Sequence, residues 1–291
     1  MLFSEKQNEV SVRNGKSIIK GFLLGLEGLG FTSFEGVTLS LVGQVVAQTA
    51  ANHYKRGATS LLHYVRDFLK HLHDYKYIDV DLSVGVPKMA SPYRKVYQGF
   101  TDDEIIQILA AVDRDTPIGK RDYAMMVLAA QTGLRGVDVL KLKRIDIDWR
   151  KKEINIAQSK TGAALCVTLE PESGNALYDY LLNARQESDI PIVFLSSRHP
   201  IRALSPLTAQ GIVKRYMAIA GIKSEPRQRY GFHSFRRAFG TKLLESGTPV
   251  HLLSQLLGHY DLDSARPYIS ASEQGLLECC LPLDFEMGGA L

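Results

Sequence analysis

One segment, residues 86–99, interrupts the helical pattern of the chain and so limits how many domains the chain can form. The segment has little apolar periodicity and combines two prolines, a glycine and three basic residues: Pro87, Pro92, Gly99, Lys88, Arg94 and Lys95. Prolines and glycines at this density are typical of linkers between domains. The 291 residues of the chain are enough for two domains of ordinary size. We therefore expect a first domain over residues 1–86, a linker over 87–99 and a second domain from residue 100.

The first domain is predicted to be helical. Apolar residues recur at helical spacing over 17–29, 39–55 and 59–75, and Ser40 is a candidate N-cap for the second of these helices. The third segment has the clearest pattern, because its apolar residues fall on one stripe: Leu61, Leu62, Val65, Phe68, Leu69 and Leu72. The opposite face of that helix is basic and includes Arg66 and Lys70.

The second domain is predicted to combine helices with a small β-hairpin. Thr101 and Glu104 form a capping-box pattern that opens a helix through residue 112. Two strand-like runs flank a turn with Lys160 at its tip, and a third short run is a further candidate strand: 153–157, 164–169 and 192–195. Five more helices are predicted, over 121–130, 134–142, 206–221, 232–245 and 249–258. The fold class is therefore mainly α with a small β-sheet (α+β).

Charge is unevenly distributed along the chain. The net charge is +4 and the pI about 8.8, which is only mildly basic. Residues 1–271 carry a balance of +8, whereas residues 272–291 contain four acidic residues and no basic one. A body of this charge can face a polyanion, although many proteins that bind no nucleic acid have a similar charge.

Several classes of protein are disfavoured by composition. No apolar run approaches the roughly 20 residues that cross a bilayer, and the polar N-terminus is unlike a signal peptide. The three cysteines, Cys166, Cys279 and Cys280, are too few and too badly spaced for a disulfide framework or a cysteine-based zinc site. We therefore expect a protein of the reducing cytoplasm, with no membrane helix, no metal and no cofactor.

A set of polar residues occupies the predicted ends of elements in the second domain, outside the apolar stripes of its helices: Arg135, Lys160, His233, Arg236, His259 and Tyr268. His233 and Arg236 are three residues apart on one helix, so they share a face. Each residue alone has an ordinary structural explanation. Arg135 fits a surface ion pair with Asp138, and His259 after a glycine cap fits hydrogen bonding to helix carbonyls. The ordered set is more informative than any member.

Three motifs within this set resemble those of the tyrosine recombinases, the phage integrase-like enzymes. Residues 132–138, Thr-Gly-Leu-Arg-Gly-Val-Asp, resemble the first arginine motif of that family. Residues 233–237 resemble its His-x-x-Arg motif, and residues 256–259 its Leu-Gly-His motif, with a tyrosine nine residues later. The hairpin lysine also matches. The resemblance extends over the whole chain, as a helical core-binding domain, a linker and a catalytic domain that together form a C-shaped clamp on DNA.

The resemblance implies a site-specific recombinase or integrase that cleaves and rejoins DNA through a 3′-phosphotyrosyl intermediate. Tyr268 is then the nucleophile, and the guanidinium groups of Arg135 and Arg236 clamp the non-bridging phosphate oxygens. His233 and Lys160 are the candidate proton carriers, which the sequence alone does not tell apart. His259 is a candidate donor to a non-bridging oxygen.

The chain also departs from the family pattern. Pro267 directly precedes Tyr268, which predicts that the tyrosine lies near the start of a short helix or in a loop. Arg237 stands where many relatives have a second histidine, and Asp138 stands where many have glutamate. We expect Asp138 to orient Arg135 without touching the substrate.

The same resemblance implies the partners. Double-stranded DNA at specific recombination sites is the substrate, with Lys88, Arg94, Lys95, Arg66 and Lys70 as candidate DNA contacts. The chain is expected to be a monomer in solution and a homotetramer on two synapsed sites at the bacterial nucleoid, with an accessory directionality factor as a further candidate partner. The tail, 272–291, is expected to dock either on its own domain or on a neighbouring protomer.

Integration and excision of a mobile element are the expected role. A chromosome-dimer resolvase, a type IB topoisomerase and a catalytically silent DNA-binding protein are the alternatives. The topoisomerase shares the chemistry but relaxes supercoils, and the compact two-domain layout argues for the recombinase. A silent protein predicts decay at the six positions, and all six are intact.

Overall fold

The computed structural model describes residues 9–53, 58–87, 97–223 and 230–258, together with Tyr268. It divides into two compact units, Met1–Arg94 and Lys95–Leu291. The first unit has its own core, and the second unit has a large core and a smaller one. Among the described residues, no helix combines the length and the apolar character needed to cross a membrane.

The first unit contains three helices, α1 (Glu9–Glu27), α2 (Leu39–His53) and α3 (Ala58–Asp74), followed by a 3₁₀ turn over Leu82–Gly85. Its core is built from fully or almost fully buried side chains of these helices: Phe22, Val42, Val45, Leu61, Val65 and Leu69. The stripe predicted for the third helix therefore faces the core.

Two helix starts in this unit differ from the sequence prediction. α1 begins eight residues before the predicted start at residue 17, because Gly15 continues the buried stripe of Ile18 and Phe22 one turn earlier. Ser40 is not the N-cap of α2, since it lies within the helix. The hydroxyl of Thr38 accepts a hydrogen bond from the Leu41 amide at 3.3 Å and fills that place.

Seven helices are described in the second unit: α4 (Asp102–Ala110), α5 (Pro117–Thr132), α6 (Gly136–Lys141), α7 (Pro171–Asn183), α8 (Pro206–Ile219), α9 (Phe232–Glu245) and α10 (Val250–Leu256). The capping box of Thr101 and Glu104 is present at α4. Ser205 caps α8. The buried helix α5 begins at Pro117, four residues before the predicted start, because the hydroxyl of Thr116 accepts from the Gly119 amide at 3.1 Å.

A three-stranded antiparallel sheet lies between α6 and α7 in the chain. Its strands are β1 (Ile147–Asp148), β2 (Glu153–Ala157) and β3 (Ala164–Thr168), in the order β1-β2-β3. Strands β2 and β3 pair antiparallel, with Asn155 opposite Cys166, and together they form the predicted hairpin.

The expectation of a strand at residues 192–195 is wrong. Those residues form only isolated bridges, from Ile192 to Lys143 and from Leu195 to Ala203. Their apolar run reflects burial, since Val193 and Phe194 are both 0% exposed. A short buried run cannot be told from a strand by periodicity alone. The third strand of the sheet is β1, which has only two residues and so gives no pattern to read.

Helix α7 was not predicted from the sequence, and it packs on α5 through buried side chains that include Leu177 and Tyr180. The Tyr123 hydroxyl donates to Glu172 at 2.7 Å and ties the two helices at their edge. The helix begins with Pro-Glu-Ser-Gly, a composition typical of turns, so the sequence pattern does not predict a helix start there.

Candidate active site

Arg135 is positioned by the turn that joins α5 to α6. Gly133 ends α5 in the left-handed region at φ 61°, and Arg135 is the N-cap of α6 with an extended backbone. The Nη1 of Arg135 donates to the side-chain oxygen of Gln158, and its Nη2 donates to the Gly258 carbonyl at 3.3 Å. Loss of water around the guanidinium and the nearby Arg236 both lower the pKa of Arg135.

Arg236 lies on α9 and is 1% exposed, a rare degree of burial for a charged side chain. Its Nη1 donates to the Gly133 carbonyl at 2.9 Å and its Nη2 to the Leu257 carbonyl at 2.7 Å. The two arginines therefore meet at consecutive carbonyls, those of Leu257 and Gly258. We call this pair of carbonyls the carbonyl clasp.

His233 lies one helical turn before Arg236 on α9 and keeps solvent access. The pKa of His233 is lowered to about 4, first by the protein atoms that displace water from the ring and then by four nearby cations: Arg237, Arg236, Arg135 and Lys160. The imidazole is therefore neutral at physiological pH and can accept a proton or a hydrogen bond. The same influences place each of these four cations within electrostatic reach of His233.

Lys160 is exposed in the turn between β2 and β3. The turn is closed by hydrogen bonds from the Gln158 amide to the Ala163 carbonyl, 2.9 Å, and from the Gly162 amide to the Gln158 carbonyl, 2.8 Å. Within the described part of the chain, the structure shows no hydrogen bond to the ammonium group of Lys160. Its ammonium group is solvent-exposed and within electrostatic reach of His233.

Asp138 supports the lysine turn. It is 3% exposed, and its Oδ1 accepts from the backbone amide of Ser159 at 2.8 Å. The carboxylate of Asp138 lies close enough to raise the pKa of Arg135. Within the described residues no hydrogen bond joins the two side chains. The expected orienting role of Asp138 on Arg135 stays a prediction, and the geometry adds a direct contact with the residue next to Lys160.

Tyr268 is 4% exposed and has helical backbone. It packs in a small apolar cluster with Leu244, Leu253 and Leu257. Its ring also lies against Gly240, where an added Cβ would meet the ring carbons at 2.5 and 2.6 Å. An ionised Tyr268 would raise the pKa of Arg135, which puts the phenol within electrostatic reach of the guanidinium.

Several predicted residues lie outside the described part of the chain: His259, Lys88, Arg94, Lys95 and the tail 272–291. Two other candidate DNA contacts are described. Arg66 donates to the Pro87 carbonyl at 2.9 Å and so holds the chain where it leaves the first unit. Lys70 is exposed on α3. Both stay predictions as DNA contacts.

One residue of this site was missed from the sequence. Gln158 ends the β2 side of the hairpin and is 2% exposed. It accepts from Arg135 and from the Thr161 hydroxyl, 2.9 Å, and donates to the Leu257 carbonyl at 3.2 Å. The only signal in the sequence is a polar residue two positions before Lys160, which is not distinctive.

Among the described residues, no group of three or more histidine, cysteine or carboxylate side chains could hold a metal ion.

The model of the phage integrase family matches residues 98–274. Because the match covers more than half of the chain, the chain belongs to the phage integrase family, that of the tyrosine recombinases. The integrase/recombinase y4gC of Sinorhizobium fredii (strain NBRC 101917 / NGR234) is 36% identical over 182 residues, which are 62% of this chain and 93% of that protein. Tyrosine recombinase XerD of Xanthomonas axonopodis pv. citri (strain 306) is 31% identical over 194 residues, 63% of this chain and 61% of the relative.

The fold also has solved counterparts. A lambda integrase tetramer bound to a Holliday junction superposes with a TM-score of 0.69 at 19% identity, over 94% of this chain and 74% of that one. The prediction of a mainly α fold with a small sheet is confirmed, as is the resemblance to tyrosine recombinases on which the site residues were chosen.

Proposed function

We propose that this protein is a site-specific DNA recombinase that cleaves and rejoins strands through a 3′-phosphotyrosyl intermediate, with Tyr268 as the nucleophile. One observation carries the proposal. Arg135 and Arg236 converge on the carbonyl clasp, Tyr268 lies within electrostatic reach of Arg135, and His233 lies within electrostatic reach of both arginines and of Lys160. These five positions are scattered over more than 130 residues of sequence, and the influences between them support a single site that suits a phosphodiester.

The reaction follows from the chemistry of these groups. The Tyr268 oxygen attacks phosphorus, a P–O(Tyr) bond forms, the P–O5′ bond breaks, and the phenolic proton leaves. The covalent link conserves the phosphodiester energy, so a 5′-hydroxyl can later reverse the step. Negative charge develops on the non-bridging oxygens, where two guanidinium forks can each donate two hydrogen bonds.

Two further groups are assigned to the protons. His233 is assigned as the base or the hydrogen-bond partner of the phenol, and its lowered pKa, which keeps the imidazole neutral but makes it a weak base, favours the hydrogen-bond role. Lys160, exposed at the hairpin tip, is suited to protonate the leaving 5′-oxygen. His259 is proposed as a donor to a non-bridging oxygen.

The rest of the chain is assigned to DNA binding and assembly. We propose that residues 1–86 and 100–271 close around a specific duplex site as a clamp, joined by the basic linker 87–99. Support comes from the lambda integrase relative, which is described as a tetramer on a Holliday junction. On the same basis the chain is proposed to assemble as a tetramer on DNA. The family resemblance alone suggests that it is a monomer in solution, that it acts at the bacterial nucleoid, and that its tail docks on a neighbour or on its own domain. A mobile element is the proposed substrate, and an accessory directionality factor is a candidate partner.

A nicked-duplex assay tests the chemistry. Duplexes tiled across the DNA that flanks the gene are nicked near each candidate cleavage position, so that cleavage releases a short fragment and traps the covalent intermediate. We expect a protein–DNA adduct that survives denaturation with the native chain and disappears in Tyr268→Phe. Tight binding without an adduct across the full tiling would favour the silent DNA-binding alternative. An adduct that persists in Tyr268→Phe would assign the nucleophile to another tyrosine.

A further inference from the structure

We propose that Gln158 is a positioning residue of the active site, which sets the place of Arg135 and the lysine-bearing turn against the carbonyl clasp. The inference rests on the proposed function. It concerns a buried side chain, 2% exposed, whose amide is engaged by other protein groups on both its oxygen and its nitrogen.

The amide of Gln158 joins three separate segments. Its oxygen accepts from Arg135, at the start of α6, and from the Thr161 hydroxyl, in the turn that carries Lys160. Its nitrogen donates to the Leu257 carbonyl at 3.2 Å, which also accepts from Arg236. A carboxamide suits this place, because one end accepts and the other donates within a single planar group.

The backbone at Gly258 packs tightly against this amide. Gly258 has φ 59°, and a Cβ built there would lie 2.0 Å from the Gln158 nitrogen. The glycine of the Leu-Gly-His motif therefore serves two needs at once: a left-handed backbone and close approach of the Gln158 side chain.

The consequence for catalysis is geometric. Arg135 has a long, flexible side chain, and within the described residues its guanidinium is anchored by Gln158 and by the Gly258 carbonyl. Removing the amide leaves the longer of these two contacts, at 3.3 Å, to hold the guanidinium. A misplacement of about 1 Å in a catalytic group can cost roughly 100-fold in rate. We expect loss of Gln158 to slow strand cleavage by about 10- to 100-fold.

The experiment compares two glutamine variants of the full chain. Gln158→Met has a similar length and no amide. The control is Gln131→Met, because Gln131 also uses both ends of its amide, donating to Glu172 at 2.7 Å and accepting from the Ser173 amide at 3.2 Å. That residue joins α5 to α7, and in the described part of the chain its side chain makes no hydrogen bond to the clasp or to the site arginines. Adduct formation is timed in a single turnover on the nicked duplex, with DNA affinity and thermal midpoint measured alongside.

A second substrate separates positioning from a purely structural role. A methylphosphonate at the scissile position removes the charge that Arg135 is proposed to meet. We expect Gln158→Met to be slowed on the natural phosphate with DNA affinity retained, and the gap to the native chain to shrink to about 3-fold or less on the methylphosphonate. An equal slowing on both substrates would overturn the positioning role, as would a rate for Gln158→Met equal to that of Gln131→Met.

A conservative variant covers the case in which Gln158→Met does not fold. Gln158→Glu keeps the oxygen that accepts from Arg135 and Thr161 but loses the donor to Leu257. The carboxylate also pairs with the Arg135 guanidinium and faces the Leu257 carbonyl, so we expect cleavage of the natural phosphate to slow by about 10- to 100-fold with DNA affinity retained. A cleavage rate equal to that of the native chain would refute the inference. If the native chain itself forms no adduct, the proposed function falls and this inference with it, whereas an active native chain with indifferent Gln158 variants removes only the inference.

Discussion

Gly258 packs so tightly against the Gln158 side chain that Gly258→Ala is a stringent test of the structure. The backbone of Gly258 has φ 59°, and its added Cβ would lie 2.0 Å from the Gln158 nitrogen. A side chain cannot tolerate that distance, so Gln158 must turn away and release Arg135 and the Leu257 carbonyl. The substitution therefore adds a packing cost to the conformational one.

The magnitude can be built from the separate effects. A non-glycine residue in the left-handed region costs about 1–2 kcal/mol. Loss of the neutral hydrogen bond from Gln158 to Leu257 costs about 1 kcal/mol, and loss of the charged one from Arg135 about 1.5–3 kcal/mol. Gly258→Ala should thus lower the free energy of unfolding of the second unit by about 3.5–6 kcal/mol.

Gly247→Ala provides the matched control. Gly247 also has a left-handed backbone, at φ 81°, but an added Cβ would meet nothing within 4 Å. This variant should lose only the conformational part, about 1–2 kcal/mol. The difference between the two variants isolates the contact with Gln158.

Urea unfolding followed by tryptophan fluorescence makes the measurement. The chain has a single tryptophan, Trp149, which lies in the second unit beside Tyr178 with ring centroids 5.9 Å apart. Its emission therefore reports the unit that contains both glycines. Equal destabilisation by the two substitutions would refute the close approach of Gln158 to Gly258, and with it the argument for the positioning role.

Three other predictions use the same chain. The pKa of His233 is about 4 in the folded chain, below the usual 6.5, so the unfolded state binds a proton at higher pH than the folded state does. The free energy of unfolding should therefore fall as the pH drops from 6.5 towards 4. In His233→Gln this contribution is absent, and the urea midpoint should depend less on pH in that window. Arg236→Lys cannot donate as a fork to both Gly133 and Leu257, and its rate of adduct formation should fall by about 100- to 1000-fold, measured in a single turnover. Asp122→Ala leaves the buried Arg121 without its ion-pair partner and should cost about 3–5 kcal/mol in urea unfolding, a value near zero counting against that pair.

Local chemistry accounts for the parts of the fold that the sequence predicts well. The capping box at Thr101, the cap at Ser205 and the left-handed Gly133 each depend on residues within one turn of the helix end. The stripe on α3 is likewise periodic within a single element. Such features do not depend on distant segments of the chain, so the local sequence is enough to predict them.

Features that depend on distant partners are the ones that sequence reasoning missed. Strand β1 exists because Ile147 pairs with Ile154 across the sheet, and two residues carry no periodic signal. Helix α7 begins in a turn-like composition and is held by its packing on α5. Gln158 is the clearest case, since its partners Arg135 and Leu257 are 23 and 99 residues away in the chain.

The choice of hydrogen-bond acceptors separates the arginines of the site from the structural ones. Arg121 and Arg215 both pair with the buried carboxylate of Asp122, which neutralises charge where the fold needs rigidity. The acceptors described above for Arg135 and Arg236 are carbonyl oxygens of the backbone and of Gln158. A carbonyl orients a guanidinium without neutralising it, and in the proposed reaction that positive charge would stabilise the developing phosphorane. The carboxylate of Asp138 accepts from the Ser159 amide and so steadies the lysine turn. In the described part of the chain, the hydrogen bonds of Arg135 thus go to carbonyl dipoles, whereas Arg121 and Arg215 are held by a carboxylate.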